Sequence, residues 1–352
     1  MKFGFFRKRR GWGLLVFLVA LVLAGCGGKS TNPPSGAEED NTNRIAVFIP
    51  GVMSGSPIYE MLAAGVTRAA AEQPGVTVTV IEGGFNQAEW ESRVSALAAS
   101  GLYGLIVSSN PSLPAIAQSV SAKFPGQKFL LLDGEVWGNP NIYSLRYNQW
   151  EQAFMAGHIA ALVTAEISAG KEGENGKVGL VAGQEYPAMN NTILPGYLAG
   201  ARSVDPAFTA DFRVVGNWFD AGTGASLAVD MIRGGTAVIL CIAGGANEGV
   251  VQAASEAGAK VVWFDTNGYG IRPGTVVGSS VLYQDRAAYE QTKRYLAGTL
   301  PFGQAEMVGV ADGFVDFVQD DPRYLAAVSP EIRTKQAEFL EQIRAESLRL
   351  EE

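Results

Sequence analysis

Two successive series of short apolar runs and helix-like segments fill this chain and limit the folds open to it. Each run is apolar throughout, which is typical of a strand buried in a parallel sheet. Parallel neighbours need a crossover between them, usually a helix that covers one face of the sheet. The alternation therefore predicts the α/β class, with parallel sheets that carry helices on both faces.

The first series accounts for one predicted sheet. Its strands are predicted at 44–50, 76–81, 102–108, 128–133 and 142–147, and its helices at 58–73, 87–100 and 113–124. A longer helix at 149–167 begins the second series. Its strands are predicted at 177–182, 212–216, 237–243, 260–265 and 275–281, and its helices at 193–203, 225–232, 248–257 and 287–296. A charged helix is predicted at 330–350, and the whole pattern predicts two doubly wound parallel-sheet lobes.

The first 25 residues predict a secretory signal peptide, because a basic start is followed by a short apolar run and small residues. The run ends in Leu23-Ala24-Gly25-Cys26, which resembles a bacterial lipobox. In that motif the cysteine is lipidated and becomes the first residue of the mature protein. We expect Cys26 to carry the lipid and the Gly-, Ser- and Pro-rich segment 26–43 to be a flexible tether.

Charge argues against two classes of partner. The chain has 27 basic and 35 acidic residues, and the predicted signal peptide removes five basic residues and no acidic ones. The mature chain then carries 22 basic and 35 acidic residues, a net charge of −13. Nucleic-acid binding and attraction to an anionic membrane surface are therefore not expected.

The two cysteines and the one histidine restrict the chemistry further. With Cys26 acylated, Cys241 has no disulfide partner in the mature chain, and its apolar surroundings predict a buried, inert thiol. His158 alone cannot build a His-rich metal site, and no activated nucleophile lies near it in the sequence. No metal site and no cofactor are predicted.

Polar and aromatic side chains follow almost every predicted strand. Ligands of such sheets lie beyond the carboxyl ends of the strands, so two facing lobes place the site in the cleft between them. Aromatic faces can stack on a flat ring, and Asp or Asn can accept its hydroxyls. The candidate ligand-binding residues are Ser56, Tyr59, Asn110, Gln184, Asn190, Trp218, Phe219, Asn247, Asp265 and Asn267. No Walker P-loop is present to bind phosphate.

Each of these candidates has a structural alternative. Trp218 and Phe219 can equally belong to the core. Asn190 can cap the helix that follows it, and Asp265 can cap as well. The residues by themselves leave both roles open, ligand binding on one side and core packing or helix capping on the other.

Several motifs in the second half of the chain resemble one family. They are Gly157-His158-Ile159-Ala160-Ala161-Leu162, Gly196-Tyr197-Leu198-Ala199-Gly200, Ala243-Gly244-Gly245 with Gly249-Val250, and the strand that ends at Asp265. Together they resemble the basic membrane protein family of ABC-transporter solute-binding lipoproteins, from about Arg44 to the end of the chain.

The resemblance implies a type I periplasmic-binding-protein fold, with two lobes joined by three hinge strands and closing on a ligand. It also implies that the protein delivers its solute to a membrane permease driven by ATPase subunits. We expect discontinuous lobes, 44–147 with 280–312 and 148–279 with 313–352, and a monomeric protein. Nucleoside-binding members stack the base between two aromatic residues, which match Tyr59 and either Trp218 or Phe219. Their ribose-binding aspartate matches Asp265.

Two departures from the nucleoside-binding members bear on the ligand. The segment 52–57 lacks the carboxylate that those members carry, and Tyr283 or Gln284 stands where they have a lysine. Less charge and more aromatic surface favour a larger neutral ring, so riboflavin is the first hypothesis and a purine nucleoside the second. On this comparison Gln284 joins the candidate ligand-binding residues.

Three other classes of protein fit less well. A transcription regulator can share the fold, but the export signal and the lack of a helix-turn-helix before the first strand oppose it. An enzyme could use cleft carboxylates such as Glu185 or Glu248, yet nothing in the sequence marks an acid–base pair. A purely structural lipoprotein would not need polar groups at nearly every strand end. We therefore predict a binding protein and no catalysis.

Overall fold

The computed structural model describes residues 43–169 and 176–345. The predicted signal peptide, Cys26 and all of the predicted tether except Asn43 lie outside the described residues, as does the end of the helix predicted at 330–350. Within the described ranges, no helix is both long enough and apolar enough to span a bilayer.

Six strands form the first sheet, in the order β11-β5-β4-β3-β1-β2. They are all parallel where they pair. The strands are β1 (Arg44–Ile49), β2 (Thr77–Glu82), β3 (Leu105–Ser109), β4 (Lys128–Leu132), β5 (Ile142–Tyr147) and β11 (Ala305–Val308). Its helices are α1 (Pro57–Ala71), α2 (Trp90–Ala99), α3 (Leu113–Lys123) and α8 (Gln284–Leu296), which packs on α1.

The second sheet repeats this arrangement in the order β12-β10-β9-β8-β6-β7. Only β12 runs antiparallel to its neighbour. The strands are β6 (Lys177–Ala182), β7 (Thr209–Val214), β8 (Val238–Ile242), β9 (Lys260–Asp265), β10 (Val276–Leu282) and β12 (Val315–Phe317). The helices are α4 (Gln149–Ser168), α5 (Leu194–Val204), α6 (Ala221–Arg233), α7 (Asn247–Ala257), α9 (Pro322–Ala327) and α10 (Pro330–Arg344).

The chain passes between the two sheets three times, always near the same edge. It leaves the first sheet after β5 for α4, returns from β10 to α8, and crosses again between β11 and β12. Strands β2 and β7 form the opposite edge of each sheet. The predicted lobe boundary at residue 280 falls within β10, which pairs along its length in the second sheet.

Helix α4 lies in the centre of the main core. Fourteen of its residues are buried, from Trp150 to Thr164, so the helix is covered on nearly all sides. A helix that is apolar all round belongs inside a protein, and α4 packs against α5, α10 and the strands of the second sheet. Its first turn therefore has a fixed position beside the crossing strands.

Glycines allow α4 and α5 to approach within backbone contact. A Cβ added at Gly157 would overlap the carbonyl oxygen of Tyr197, and one added at Gly200 would overlap the carbonyl oxygen of Phe154. In the same way, a Cβ added at Gly249 on α7 would overlap the carbonyl oxygen of Ala221 on α6. Glycine is required at such crossings because any side chain would push the helices apart. Much of the family resemblance thus lies in helix packing.

His158 lies where α4 meets the C-terminal helix α10. Its ring stacks on Phe339 with centroids 4.0 Å apart, and Nδ1 lies 2.7 Å from Oε1 of Gln336. The Gln336 amide donates its Nε2 hydrogen to the carbonyl of Met155, which turns Oε1 towards the histidine. Nδ1 of His158 is therefore the donor, and the predicted structural role of this residue fits its surroundings.

Acid is expected to destabilise this contact. Burial lowers the pKa of His158, although the Gln336 hydrogen bond raises it in part. Because the folded pKa lies below the usual value of about 6.5, the unfolded chain takes up a proton first as pH falls. The free energy of unfolding, measured with urea, should fall between pH 7 and pH 5 in the wild type and fall less in His158→Gln. Equal slopes in the two proteins would contradict this account.

Candidate functional site

One small cavity lies where the carboxyl ends of the two sheets face each other. Its volume is about 60 Å³. Both sheets and the first turns of the crossing helices contribute to its lining, which consists of Ile58, Ser109, Asp133, Gln149, Asp265, Leu282 and Gln284. Asp265 and Gln284 were predicted site residues, and the structure brings them together here.

Two aspartates occupy equivalent places in the two lobes. Asp133 follows β4 and Asp265 ends β9, and these strands hold the same position in their sheets. Both residues have positive φ, +58° and +69°, and they are the only non-glycine residues of the described ranges that do. Asp tolerates this left-handed conformation better than most residues. At the end of its strand, each of these two aspartates thus places a carboxylate at the cavity.

The electrostatics of the two carboxylates are coupled. Burial raises the pKa of Asp133 to about 7, and the nearby charge of Asp265 contributes in the same direction. Burial also raises the pKa of Asp265, to about 6, against a hydrogen bond from Gln152 Nε2 that lowers it. No cluster of three or more potential metal-binding side chains occurs in residues 43–169 and 176–345.

Gln284 ties the start of α8 to the end of the first sheet. Its Nε2 donates to Oγ of Ser109 at 2.6 Å, and its Oε1 accepts from the Tyr147 hydroxyl at 2.7 Å. All three side chains are buried. Gln284 therefore presents a neutral amide, bonded at both its nitrogen and its oxygen, at the position where the nucleoside-binding members were expected to have lysine.

Tyr59 and Asn110 form a second contact at the end of the first sheet. The Tyr59 hydroxyl donates to the carbonyl of Pro50 and accepts from Nδ2 of Asn110, both at 3.2 Å. Burial raises the pKa of Tyr59 to about 12. Ser56 precedes α1 and makes no side-chain capping bond. Of these three predicted residues, the structure joins Tyr59 and Asn110, beside the cavity-lining Ile58.

An aromatic wall stands at the end of β6 in the second lobe. The Trp218 indole covers Gly183, where a Cβ would meet its ring carbons, and its Nε1 donates to Gln184 Oε1 at 3.2 Å. Tyr186 lies beside it, with ring centroids 6.2 Å apart. Burial raises the pKa of Tyr186, and the charges of Asp133 and then Asp265 add to the effect. The charges of both cavity aspartates therefore act on the Tyr186 hydroxyl.

Besides Ser56, Tyr59, Asn110, Gln184 and Trp218, four more predicted residues lie outside the cavity lining. Asn247 is buried and accepts from the Ala243 backbone, in the strand-to-helix turn. Asn267 donates to Asp321 and accepts from the Tyr269 backbone. Asn190 donates to Glu185. Phe219 is 68% exposed, and Phe85, at the equivalent place after β2, is 72% exposed. The ligand-binding role of these four predicted residues stays a prediction.

Sequence reasoning missed several polar groups in the cavity lining and beside it. Asp133 and Tyr186 were not chosen, although both follow predicted strands. Gln149 and Gln152 begin the predicted long helix and were also passed over, and Tyr147 stands at the end of a strand. All of these residues lie beside a strand end or a crossing between the lobes. This position could have identified them in the sequence only if the places where the chain changes lobe had been known.

Two doubly wound lobes, three crossings at one edge and a cavity between facing strand ends form the architecture of two-lobed ligand-binding proteins, whose lobes can close by hinge motion. The chain belongs to the Bmp family of PnrA-like ABC transporter substrate-binding proteins, whose family model matches residues 42–349. The predicted family is therefore confirmed. Members of this family bind solutes for ABC transporters and are exported.

Named relatives are similar over different parts of the chain. Basic membrane protein A1 of Borrelia garinii subsp. bavariensis is 24% identical over 318 residues, 87% of each chain. Basic membrane protein D of Borreliella burgdorferi is 29% identical over 184 residues, so the match spans only 51% of each chain. The ABC transporter nucleoside-binding protein BmpA of Lactococcus lactis is 27% identical over 152 residues, 43% of this chain and 40% of the relative.

Solved structures confirm the predicted type I fold. A solute-binding protein of an Aeropyrum pernix K1 ABC transporter system matches with a TM-score of 0.75 and 24% identity, over 88% of this chain and 93% of that one. A solute-binding protein from Conexibacter woesei matches with a TM-score of 0.65 and 18% identity, over 88% and 98%. These likenesses concern the fold alone.

Proposed function

We propose that this protein is the lipid-anchored receptor of an ABC importer for a flat, neutral ring that carries a hydroxylated chain, with a purine nucleoside as the first candidate. The observation that carries the proposal is the pair Asp133 and Asp265, which line one cavity from facing lobes. An ionised carboxylate accepts hydrogen bonds and a protonated carboxyl can also donate one, so the pair suits a ligand that has hydroxyl donors and a ring acceptor. The proposed receptor delivers this solute to a permease and its ATPase subunits.

The aromatic groups suit the ring of such a ligand. Trp218 and Tyr186 form a wall in the second lobe, and Tyr59 stands at the end of the first sheet. A flat ring held between lobes gains from offset stacking on such faces. Ligand cavities for molecules of this size usually measure about 300–1,000 Å³, well above the 60 Å³ found here. Capture therefore requires the lobes to separate and then close about the crossing strands.

Two observations rank a purine nucleoside before riboflavin. The Lactococcus relative is named as nucleoside-binding. The riboflavin hypothesis relied in part on the lack of a carboxylate in segment 52–57, but Glu82 Oε1 accepts a hydrogen bond from the Met53 backbone at 2.8 Å. A carboxylate thus reaches this loop from the end of β2. Riboflavin stays the second candidate, because its ring would gain from the aromatic wall.

The anchor is proposed from the sequence. Cys26 ends a lipobox-like motif, and the family match begins at residue 42, near the end of the predicted tether. This order is what an exported, acylated receptor needs. Metabolic labelling with a palmitate analogue should mark the wild type and not Cys26→Ala, and equal labelling of the two would contradict the proposal.

Calorimetric titration of the mature chain with inosine and with riboflavin tests the ligand. We expect saturable inosine binding and weaker riboflavin binding. Inosine monophosphate is the matched control, because its phosphate would face two carboxylates and should be rejected. A yellow protein that releases flavin on denaturation would reverse the order of the candidates, and binding of none of these compounds would contradict the proposed function.

A further inference from the structure

The paired carboxylates of the cavity come from different lobes, so lobe closure changes the distance between them. Resting on the proposed function, we propose that closure makes the pair Asp133 and Asp265 hold one proton, carried by Asp133, so that capture of a neutral solute takes up a proton from solvent. Two carboxylates that approach each other away from water resist carrying two negative charges. Closure and proton uptake are coupled for this reason.

The groups around the pair do not neutralise it. Burial raises the pKa of Tyr59 on α1, Tyr147 on β5 and Tyr186 after β6, and the charge of Asp133 adds to each. Further carboxylates lie on the adjoining elements and are engaged elsewhere. Glu135 pairs with Arg146, Asp285 pairs with Arg68, and Glu151 accepts from the Val310 backbone. The two arginines are therefore already held by other carboxylates.

The hydrogen bonds assign the proton to Asp133. The amide of Gln152 donates to Oδ1 of Asp265 at 3.1 Å, which favours the ionised form of that carboxylate. Within the described ranges no side chain or backbone group donates to the carboxyl of Asp133, and burial raises its pKa to about 7. The protonated Asp133 can donate to a ring acceptor of the solute, while the ionised Asp265 accepts a hydroxyl.

The sign of the pH effect follows from this assignment. In the open form both carboxyls meet water and should return towards the usual pKa of about 3.9. The closed form then binds the proton more tightly than the open form, so acid favours closure. Affinity for a neutral solute should fall about tenfold between pH 6 and pH 8, and level off above that range.

Calorimetry with inosine tests the coupling. Titrations at pH 6, 7 and 8, each in two buffers of different ionisation enthalpy, count the protons taken up. Asp133→Asn mimics the protonated carboxyl, since its amide can donate and asparagine tolerates positive φ. This variant should bind at pH 8 as tightly as the wild type does at pH 6, without proton uptake. Asp230→Asn, which removes a charge from an exposed position on α6, should keep the wild-type profile.

Small-angle X-ray scattering of the unliganded protein separates this inference from the ligand assignment. The wild type should have a smaller radius of gyration at pH 5.5 than at pH 8, and Asp133→Asn should show no such change. If no tested solute binds but this difference appears, the proton coupling stands and the proposed function fails. If inosine binds without proton uptake and the radius does not depend on pH, the coupling is overturned and the function stands.

Discussion

Asp265→Ala is expected to weaken binding of the transported solute by about 100-fold. The carboxylate lies at the cavity and is held by Gln152, so its loss would leave ligand hydroxyls without an acceptor in a dry cleft. Hydrogen bonds to a charged group contribute about 1.5–3 kcal/mol, and 100-fold in affinity is about 2.7 kcal/mol. Alanine is also strained at φ +69°, which would disturb the end of β9.

Asp265→Asn separates the two effects. Asparagine keeps the backbone conformation and one acceptor oxygen but loses the charge, so its affinity should lie between those of the wild type and Asp265→Ala. Asp230→Ala removes an exposed carboxylate from α6 in the same lobe and should bind normally. Calorimetric titration of the four proteins makes the comparison. Full affinity in a folded Asp265→Ala protein would remove Asp265 from the binding site.

Gly157→Ala is expected to destabilise the fold by about 3 kcal/mol, the upper part of the usual range for overpacking in a core. The added methyl would overlap the carbonyl oxygen of Tyr197, which is backbone and cannot move aside as a side chain can. Helices α4 and α5 would have to separate, and α4 is covered on nearly all sides. Urea unfolding monitored by circular dichroism measures the loss.

Gly126→Ala is the matched control for that substitution. Gly126 is exposed in the turn before β4, and a Cβ there would meet nothing within 4 Å. This variant should unfold within about 0.5 kcal/mol of the wild type, as surface substitutions usually do. Similar urea midpoints for Gly157→Ala and Gly126→Ala would show that the helix crossing yields more easily than its backbone contacts indicate.

Strand periodicity predicted most of the fold. Strand β9 was predicted with the bounds Lys260–Asp265 that the structure has, because its four apolar residues follow one another without interruption. Strands β11 and β12 and helix α9 were not predicted. These elements have four, three and six residues, too short for an apolar period to stand out, and they form only through pairing or packing with distant parts of the chain.

The candidate site was only partly predictable. Asp133 and Asp265 have the same place in their lobes, yet only Asp265 was chosen, because its selection depended on the strand and family pattern and not on the symmetry between sheets. Neighbouring Trp218 and Phe219 looked alike in sequence. In the structure the first covers Gly183 while the second is exposed, a difference set by the turn that Asn217 and Asp220 stabilise.

All three crossings lie near one edge of the sheets, so β2 and β7 are the strands farthest from any hinge axis there. Five strand spacings of about 4.8 Å put them roughly 24 Å away. A lobe rotation of about 10° would therefore shift the loops after β2 and β7 by roughly 4 Å, while Asp133 and Asp265, three strands closer to the axis, would move much less. Fluorescent or spin labels on the loops of Phe85 and Phe219 would thus convert a small rotation about the crossings into the largest distance change between the lobes.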